Sequence, residues 1–464
     1  MSLDTAAAIA ANRFGLGAKP GDLSSIGSDP RGWLEVQLRG SAPLLAAPGL
    51  QDTLAILRAA SEINQERREQ QRNAAATGQQ AAQIKRLGQF YRPIYTAEVQ
   101  ARFRNAVSTQ RPFVERLVYF WSNHFAVSVD KNIVAGVAGS LEREAIRPHV
   151  LGNFRDMLMA VEQHPAMLLY LDNQRSVGPN SMAAQRAARR DRTLGLNENL
   201  AREILELHTL GVDAGYTQTD VTSFAKVLTG WSIGGGVGQL MQGKVGEFQY
   251  RPQLHEPGAQ TVFGRHYAQS EMAQGVAVLG DLAAASPTAK HIASKLARHF
   301  IADEPPPRAV AHIAQAFEKS GGDLPAVYKA VIACQEAWAT AQSKFKTPQD
   351  YVVSIFRGLE LPVTERPDSI LPFVTLGQRQ FAPGSPAGWP DRSEDWDGAS
   401  ALMKRIEFAD SLAQALSTPP PVTELGPLLL GATYTEETRT SLSRAANAAQ
   451  ALTLLLTAPE FLRR

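Results

Sequence analysis

Along most of this chain apolar residues return at intervals of three and four, the spacing of a helix buried on one side. The pattern predicts helices over 53–78 and 79–107, two stretches rich in Ala, Gln, Glu and Arg. It continues over 112–126, 141–172, 197–210, 218–229, 286–302, 308–319, 323–343, 348–358, 401–416 and 436–463. Punctuation supports several of these. Thr217 followed by Asp220 reads as an N-cap, Gly211 as a helix-ending glycine, and Pro325 and Pro348 as helix-start prolines. The rhythm breaks at 230–267. There Phe248, Tyr250 and Leu254 alternate with polar residues, Glu256-Pro257-Gly258 makes a turn, and Thr261-Val262-Phe263 is β-prone. A mainly α fold follows, with a small β-hairpin insertion near 247–264. Loops are expected at 173–195, 304–307 and 417–427.

A length of 464 residues allows about three domains at roughly 150 residues each, or one large unit. An apolar fraction of 44% with a net charge of +2 excludes general disorder and gives no global field for nucleic acid or an anionic membrane. The lone Cys334 excludes an intramolecular disulfide and the multi-cysteine zinc sites, and its place on a helix predicts a buried thiol. No stretch is apolar enough to span a membrane. The N-terminus lacks the charged and apolar regions of a secretory signal, which makes the cytoplasm the default expectation.

Three places could carry chemistry. On a helical wheel over 197–210, Asn199, Arg202, Glu203 and Glu206 share the polar side, while His208 lies on the apolar side. Glu206 and His208 therefore point apart, and no H-E-x-x-H-like pair forms. The carboxylates could hold a divalent cation or act as acid and base; equally, the stripe is a solvated face with Glu206 paired to Arg202. His208 reads as a core histidine or a ligand. In FVERLVYFWSNHFAV, His124 rides an aromatic face that is either core or the wall of a pocket. His255 and Glu256 sit beside a proline-glycine turn that would present them rigidly, whereas His266 reads as a surface residue. His255 with His124 or His208, completed by Glu203 or Glu206, would make a nitrogen–oxygen site for Zn, Fe or Mn.

Other features carry less. The 173–195 segment holds Arg175, Arg186, Arg189, Arg190 and Arg192, a mobile solvated loop or an anion-recognising lid. With no RNA- or DNA-binding motif beside it, nucleic acid is a poor partner. Gly234-Gly235-Gly236 lacks the lysine of a phosphate loop. The irregular stretch GQRQFAPGSPAGWPDRSEDW is expected to pack as an ordered plug through Phe381, Trp389 and Trp396, or to line a groove.

The segment NENLAREILELHTLGVDAGYTQTDVTSFAKVLTGW resembles the signature of a bacterial family catalogued as domain of unknown function 1800. So do RFGLG near the start, FWSNHFAVS at 120–128, HEPGAQTVFG at 255–264 and LGQRQFAPGSPAGWP at 376–390. The chain departs at Ser122, where many relatives carry a second histidine. Because the blocks run from end to end, the resemblance implies one family-wide helical unit over 1–464, with sub-units 1–172 and 196–464 joined by the basic loop as the alternative division. It also implies a mostly helical fold, export to the periplasm or beyond in many relatives, and a partner similar to sulfatases and alkaline phosphatases encoded nearby. Within the matched segment Asn199, Arg202 and Trp231 are the candidates for substrate contact.

Two functions follow as expectations. One is an enzyme whose Glu203, Glu206 and His255, with His124 or His208, perform metal-assisted hydrolysis, oxidation or carboxylate acid/base chemistry. The other is a non-catalytic envelope or assembly protein beside the sulfatase-like partner. An enzyme should bring polar side chains together in a pocket with shifted pKa values. A scaffold should show an exposed apolar patch with its polar stripes in solvent.

Overall fold

A computed structural model describes residues 3–75, 85–235, 243–340 and 344–464. The chain is mainly helical, with two small antiparallel two-stranded sheets among the described residues. The expected helices form at Thr53–Ala75, Lys85–Ser108, Pro112–His124, Gln218–Leu228, Ser286–Phe300, Pro307–Ser320, Pro348–Gly358 and Ala399–Ala415. The 76–84 part of the first two expectations lies outside the described residues. The helix expected over 323–343 ends at Ala333, with a 3-10 turn at Gln335–Trp338 after it. Thr217 and Asp220 make a full capping box, each side chain bonding the other's backbone N–H. Gly211 adopts a positive φ of 89°, a conformation that favours glycine. Among the described residues no helix is long and apolar enough to cross a membrane.

Several elements differ from the pattern's expectation. The helix expected over 141–172 is a relay of short pieces: a π-turn at Glu142–Ile146, a 3-10 turn at Arg147–His149, then helices Phe154–Glu162 and Pro165–Tyr170. Asn153 and His164 stop it by capping the helices that follow them, offering the backbone an alternative to continuing. The 436–463 stretch is likewise divided into Glu436–Ser443, Ala448–Leu456 and Pro459–Leu462, each begun by a cap or proline. The expected 417–427 loop holds much of helix Val422–Leu430, and helix Met272–Ala284 has no counterpart in the expectation. The hairpin near 247–264 resolves into two pairings: Phe248–Tyr250 with Trp231–Ile233, and Gln260–Val262 with Arg265–Tyr267. Pro252 and Pro257 cannot donate to a ladder between the two strand-like stretches, so each finds a partner elsewhere. The 236–242 part of the glycine-rich run lies outside the described residues.

One contiguous core runs from Ala6 to Leu462 and draws on nearly every helix. Through it passes a buried ion cluster that fixes helix Pro112–His124 against the Glu142–Ile146 turn. Arg147 pairs with Glu115 at 2.6 Å and Glu142 at 2.9 Å, and Arg102 pairs with Glu142 at 2.7 Å. Burial alone would lower the Arg147 pKa, but Glu115 and Glu142 outweigh it and raise it. The basic 173–195 segment is tied down: it holds helix Met182–Ala188, and Gly178 N–H donates to Leu254 O at 2.8 Å. Arg175, Arg186, Arg189, Arg190 and Arg192 are all exposed on it.

Candidate functional site

Helices Pro112–His124 and Ser286–Phe300, the start of Pro348–Gly358, and the irregular 376–396 stretch enclose a cavity of about 390 Å³, the size of small-molecule pockets. Each wall has a local cause. Pro112 starts the first helix, and its last turn delivers Asn123 and His124. On the second helix His291, Lys295 and His299 recur every four residues, so they lie on one face, and all three line the cavity. The 376–396 stretch is pinned as a roof. Trp389 N–H donates to Asn123 Oδ1 at 2.7 Å, and Asn123 Nδ2 donates to Trp389 O at 2.8 Å. Phe381, at the roof's other end, sits at a positive φ of 53° and accepts from Val129 N–H through its carbonyl at 2.8 Å. Phe381 and Trp389 line the cavity, while the indole of Trp396 is buried and donates to Pro390 O.

A widened helical turn at Ile204–His208 forms the back of the site. Carbonyls at a helix end have no intrahelical donor, and here two histidines supply one. His291 Nε2–H donates to Leu207 O at 3.0 Å and His124 Nε2–H to His208 O at 3.2 Å. A carbonyl only accepts, so the proton of each ring sits on Nε2 and its Nδ1 keeps a lone pair. Nδ1 of His124 is buried without a hydrogen-bond partner among the described residues. Burial, then Lys295, pushes the His124 pKa well below the usual imidazole range. Burial and Lys295 likewise lower His291 to about 4.

The floor is an acid–base pair. His299 Nδ1 lies 2.8 Å from Asp391 Oδ2, and since a carboxylate accepts, the ring proton is on Nδ1 and the lone pair on Nε2. That Nε2 has no hydrogen-bond partner among the described residues. Burial works to raise the Asp391 carboxyl, but His299, Lys344 and Arg464 hold it well below the carboxylate range. Burial lowers His299 to about 4 against the pull of Asp391. At neutral pH the pair is therefore an ionised carboxylate orienting a neutral imidazole. Lys344 braces it from below, 2.6 Å from Asp303 and 3.4 Å from Asp391. Asp350 is clamped between Arg116 and Arg464, each at 3.1 Å.

Lys295 stands out among the charged groups. It makes no hydrogen bond or ion pair among the described residues, and burial lowers its pKa to about 8, with Asp391 opposing and Arg298 assisting. The walls carry five cations (Arg102, Arg116, Lys295, Arg298, Arg392) against three carboxylates (Asp350, Asp391, Asp395). Arg102 is paired with Glu142, Arg116 with Asp350 and Arg392 with Glu304, which leaves Lys295 and Arg298 as the wall cations without an ion pair among the described residues.

Of the residues expected from sequence, His124 lines this cavity and His208 packs behind it, their rings 6.1 Å apart. His208 is a core histidine held by Glu162 at 2.7 Å. Asn199, Arg202, Glu203, Glu206, Trp231 and His255 do not line the cavity. Arg202 pairs with Glu198 at 3.3 Å and with Gln218, in place of the expected Glu206. Glu203 is half-buried, which raises its carboxyl pKa. Trp231 is fully buried, edge-on to Phe248. His255 bonds Thr229 O at 2.9 Å, and burial lowers its pKa. Neighbouring Glu256 accepts from Asn180 N–H and Nδ2 at 2.7 and 2.6 Å, a tie that holds the basic segment. Among the described residues no three His, Cys, Asp or Glu side chains group so as to hold a metal ion. His124, His208 and His255 accordingly form no such set.

His291, Lys295, His299 and Asp391 are the groups that sequence reasoning passed over. Their signal was present as His-x3-Lys-x3-His on one predicted helix and as an aspartate one residue past the last family block. A family model described as protein of unknown function (DUF1800) matches residues 9–463, and the chain belongs to that family. No curated protein and no solved structure matches it.

Proposed function

We propose that this member of the DUF1800 family is an enzyme acting on a small anionic molecule in the cavity beneath the 376–396 roof. The observation that carries this reading is Lys295, a cation inside a cavity with no anion paired to it. Lys295 is partly buried, and a charge moved partly out of water is costly unless something compensates it, as an anionic ligand does. Arg298, on the same wall and without an ion pair among the described residues, adds to that field.

The chemistry is proton transfer. His299 Nε2 takes a proton from the bound molecule or from a water beside it. Asp391 holds the ring and stabilises the imidazolium that forms, the role an acid plays behind a catalytic histidine.

The test is melting temperature with a panel of small carboxylates, phosphates and sulfate, for the native chain and for Lys295→Met. A ligand that binds only the folded state raises the melting temperature with its concentration. The native chain is expected to respond to a subset of the anions and Lys295→Met to none. The same response in both chains, or in neither, overturns the reading.

A further inference from the structure

We infer that Lys295 is a nucleophile that forms an imine with the carbonyl of an oxo acid, the carboxylate of that acid being held by Arg298 on the same helix. The inference rests on the preceding reading of the cavity as a site for an anionic molecule, and it names the substrate class and a covalent step.

Three observations converge on it. Lys295 is on the cavity wall, and its amine is tied up by no hydrogen bond or ion pair among the described residues. Arg116, whose guanidinium is bound to Asp350 and Gly15 O, is committed to the fold by comparison. Second, His299 follows Lys295 by four residues on the same helix face, placing a proton-transfer group about 6 Å away at the Cβ level. Its free Nε2 and its Asp391 partner suit it to move protons to and from that amine. Third, a lysine desolvated near other cations is the usual way a protein makes an amine nucleophilic near neutral pH. Burial with Arg298 nearby has that effect here, bringing Lys295 to about 8.

The step balances within the site. Lys295 Nζ loses a proton to His299 Nε2, and its lone pair adds to the carbonyl carbon. The carbonyl oxygen becomes the hydroxyl of a carbinolamine as the nitrogen gives up a second proton to it. The His299 imidazolium then returns its proton to that hydroxyl, which leaves as water while the nitrogen lone pair forms the C=N bond. The net change is oxo acid plus lysine ammonium giving protonated imine plus water, with no outside oxidant or reductant. Positive charge on the imine nitrogen would draw electrons from the adjacent carbon–carbon or carbon–hydrogen bond, which fits a lyase, decarboxylase or aldolase type of reaction.

The experiment is borohydride trapping on the intact chain at pH 8, with pyruvate, acetoacetate and 2-oxoglutarate as probes and acetone as the uncharged control. Peptide mass mapping locates the adduct, which adds the mass of the probe less one oxygen atom. Lys290, exposed on the same helix, is the internal reference for non-specific labelling. The expected result is saturable labelling of Lys295 by at least one oxo acid, at least ten times that of Lys290 and weak with acetone. K295R should lose the label while still showing the melting-temperature rise with the same acid. Labelling of Lys295 no greater than Lys290, alongside an intact melting response, overturns the imine and leaves the anion site standing. No labelling and no melting response to any anion overturns both.

Discussion

Asn123 grips the backbone of Trp389 with both ends of its side-chain amide, accepting at 2.7 Å and donating at 2.8 Å. This amide thus holds one end of the roof over the cavity, much as a neighbouring strand would, while Val129 N–H holds the other through Phe381 O. Asn123→Ala removes both bonds and leaves a part-buried N–H and C=O of Trp389 to find water. A loss of about 1–3 kcal/mol in stability is expected, read by urea unfolding, together with faster proteolysis inside 376–396. Asn123→Asp should not rescue it, because its second oxygen would face the Trp389 carbonyl. An Asp variant as stable and protease-resistant as the native chain would contradict the two-point grip.

Gly388 sits at φ 85°, and a Cβ there would overlap the Asn123 backbone oxygen. Gly388→Ala therefore faces both an unfavourable backbone conformation and a clash with an atom that cannot swing away. The roof should lift and the melting temperature should fall. Shortening the Asn123 side chain as well should give no full rescue, since it removes the contact with Oδ1 at 2.7 Å but leaves the overlap with the backbone oxygen. A double variant as stable as Asn123→Ala alone would locate the strain elsewhere.

How far these features were legible depends on whether their causes are local. The Thr217–Asp220 capping box and the start of helix Pro348–Gly358 are local chemistry, and the sequence predicts both. The break-up of 141–172 comes from Asn153 and His164 turning their side chains to cap, a choice that competes with an otherwise good helical pattern. The wheel over 197–210 assumes an even 100° per residue, and the π-turn at Ile204–His208 abandons it so that two carbonyls can meet His124 and His291. His124 was visible as a histidine on an aromatic face. His299 and Asp391 were not visible as a pair, because 92 residues separate them and only the folded roof brings them together.

The ion cluster under helix Pro112–His124 predicts a sharp asymmetry. Arg147 is fully buried between Glu115 and Glu142, so Arg147→Met strands Glu115 and leaves Glu142 with Arg102 alone. Breaking one side of a buried pair costs about 3–5 kcal/mol, and urea unfolding should show a loss of that size. Replacing Arg147 and Glu115 together by apolar residues of similar volume, with Arg102 still paired to Glu142, should recover much of it. If the double variant is no more stable than Arg147→Met, the stranded charge is not the source of the loss.

Acid should weaken the fold through the cavity histidines. In the folded chain His291 and His299 sit near 4, below the unfolded value of about 6.5. Between those values the unfolded chain binds more protons, so stability falls as pH drops through this window and is flat above it. Each histidine contributes at most about 1.4 kcal/mol per pH unit there. Facing His291 are Lys295, His208 and Arg298, which add to the effect of burial, while its bond to Leu207 O opposes it. Facing His299 are Arg464 and Arg116, opposed by Asp391. His291→Gln is the clean probe, since a glutamine amide can still donate to Leu207 O but does not titrate. Urea unfolding at pH 7.0, 5.5 and 4.5 should give a shallower decline for His291→Gln than for the native chain, with the two curves converging in slope above pH 6.5. Equal slopes throughout the acid range would mean that His291 keeps its ordinary pKa in the folded chain.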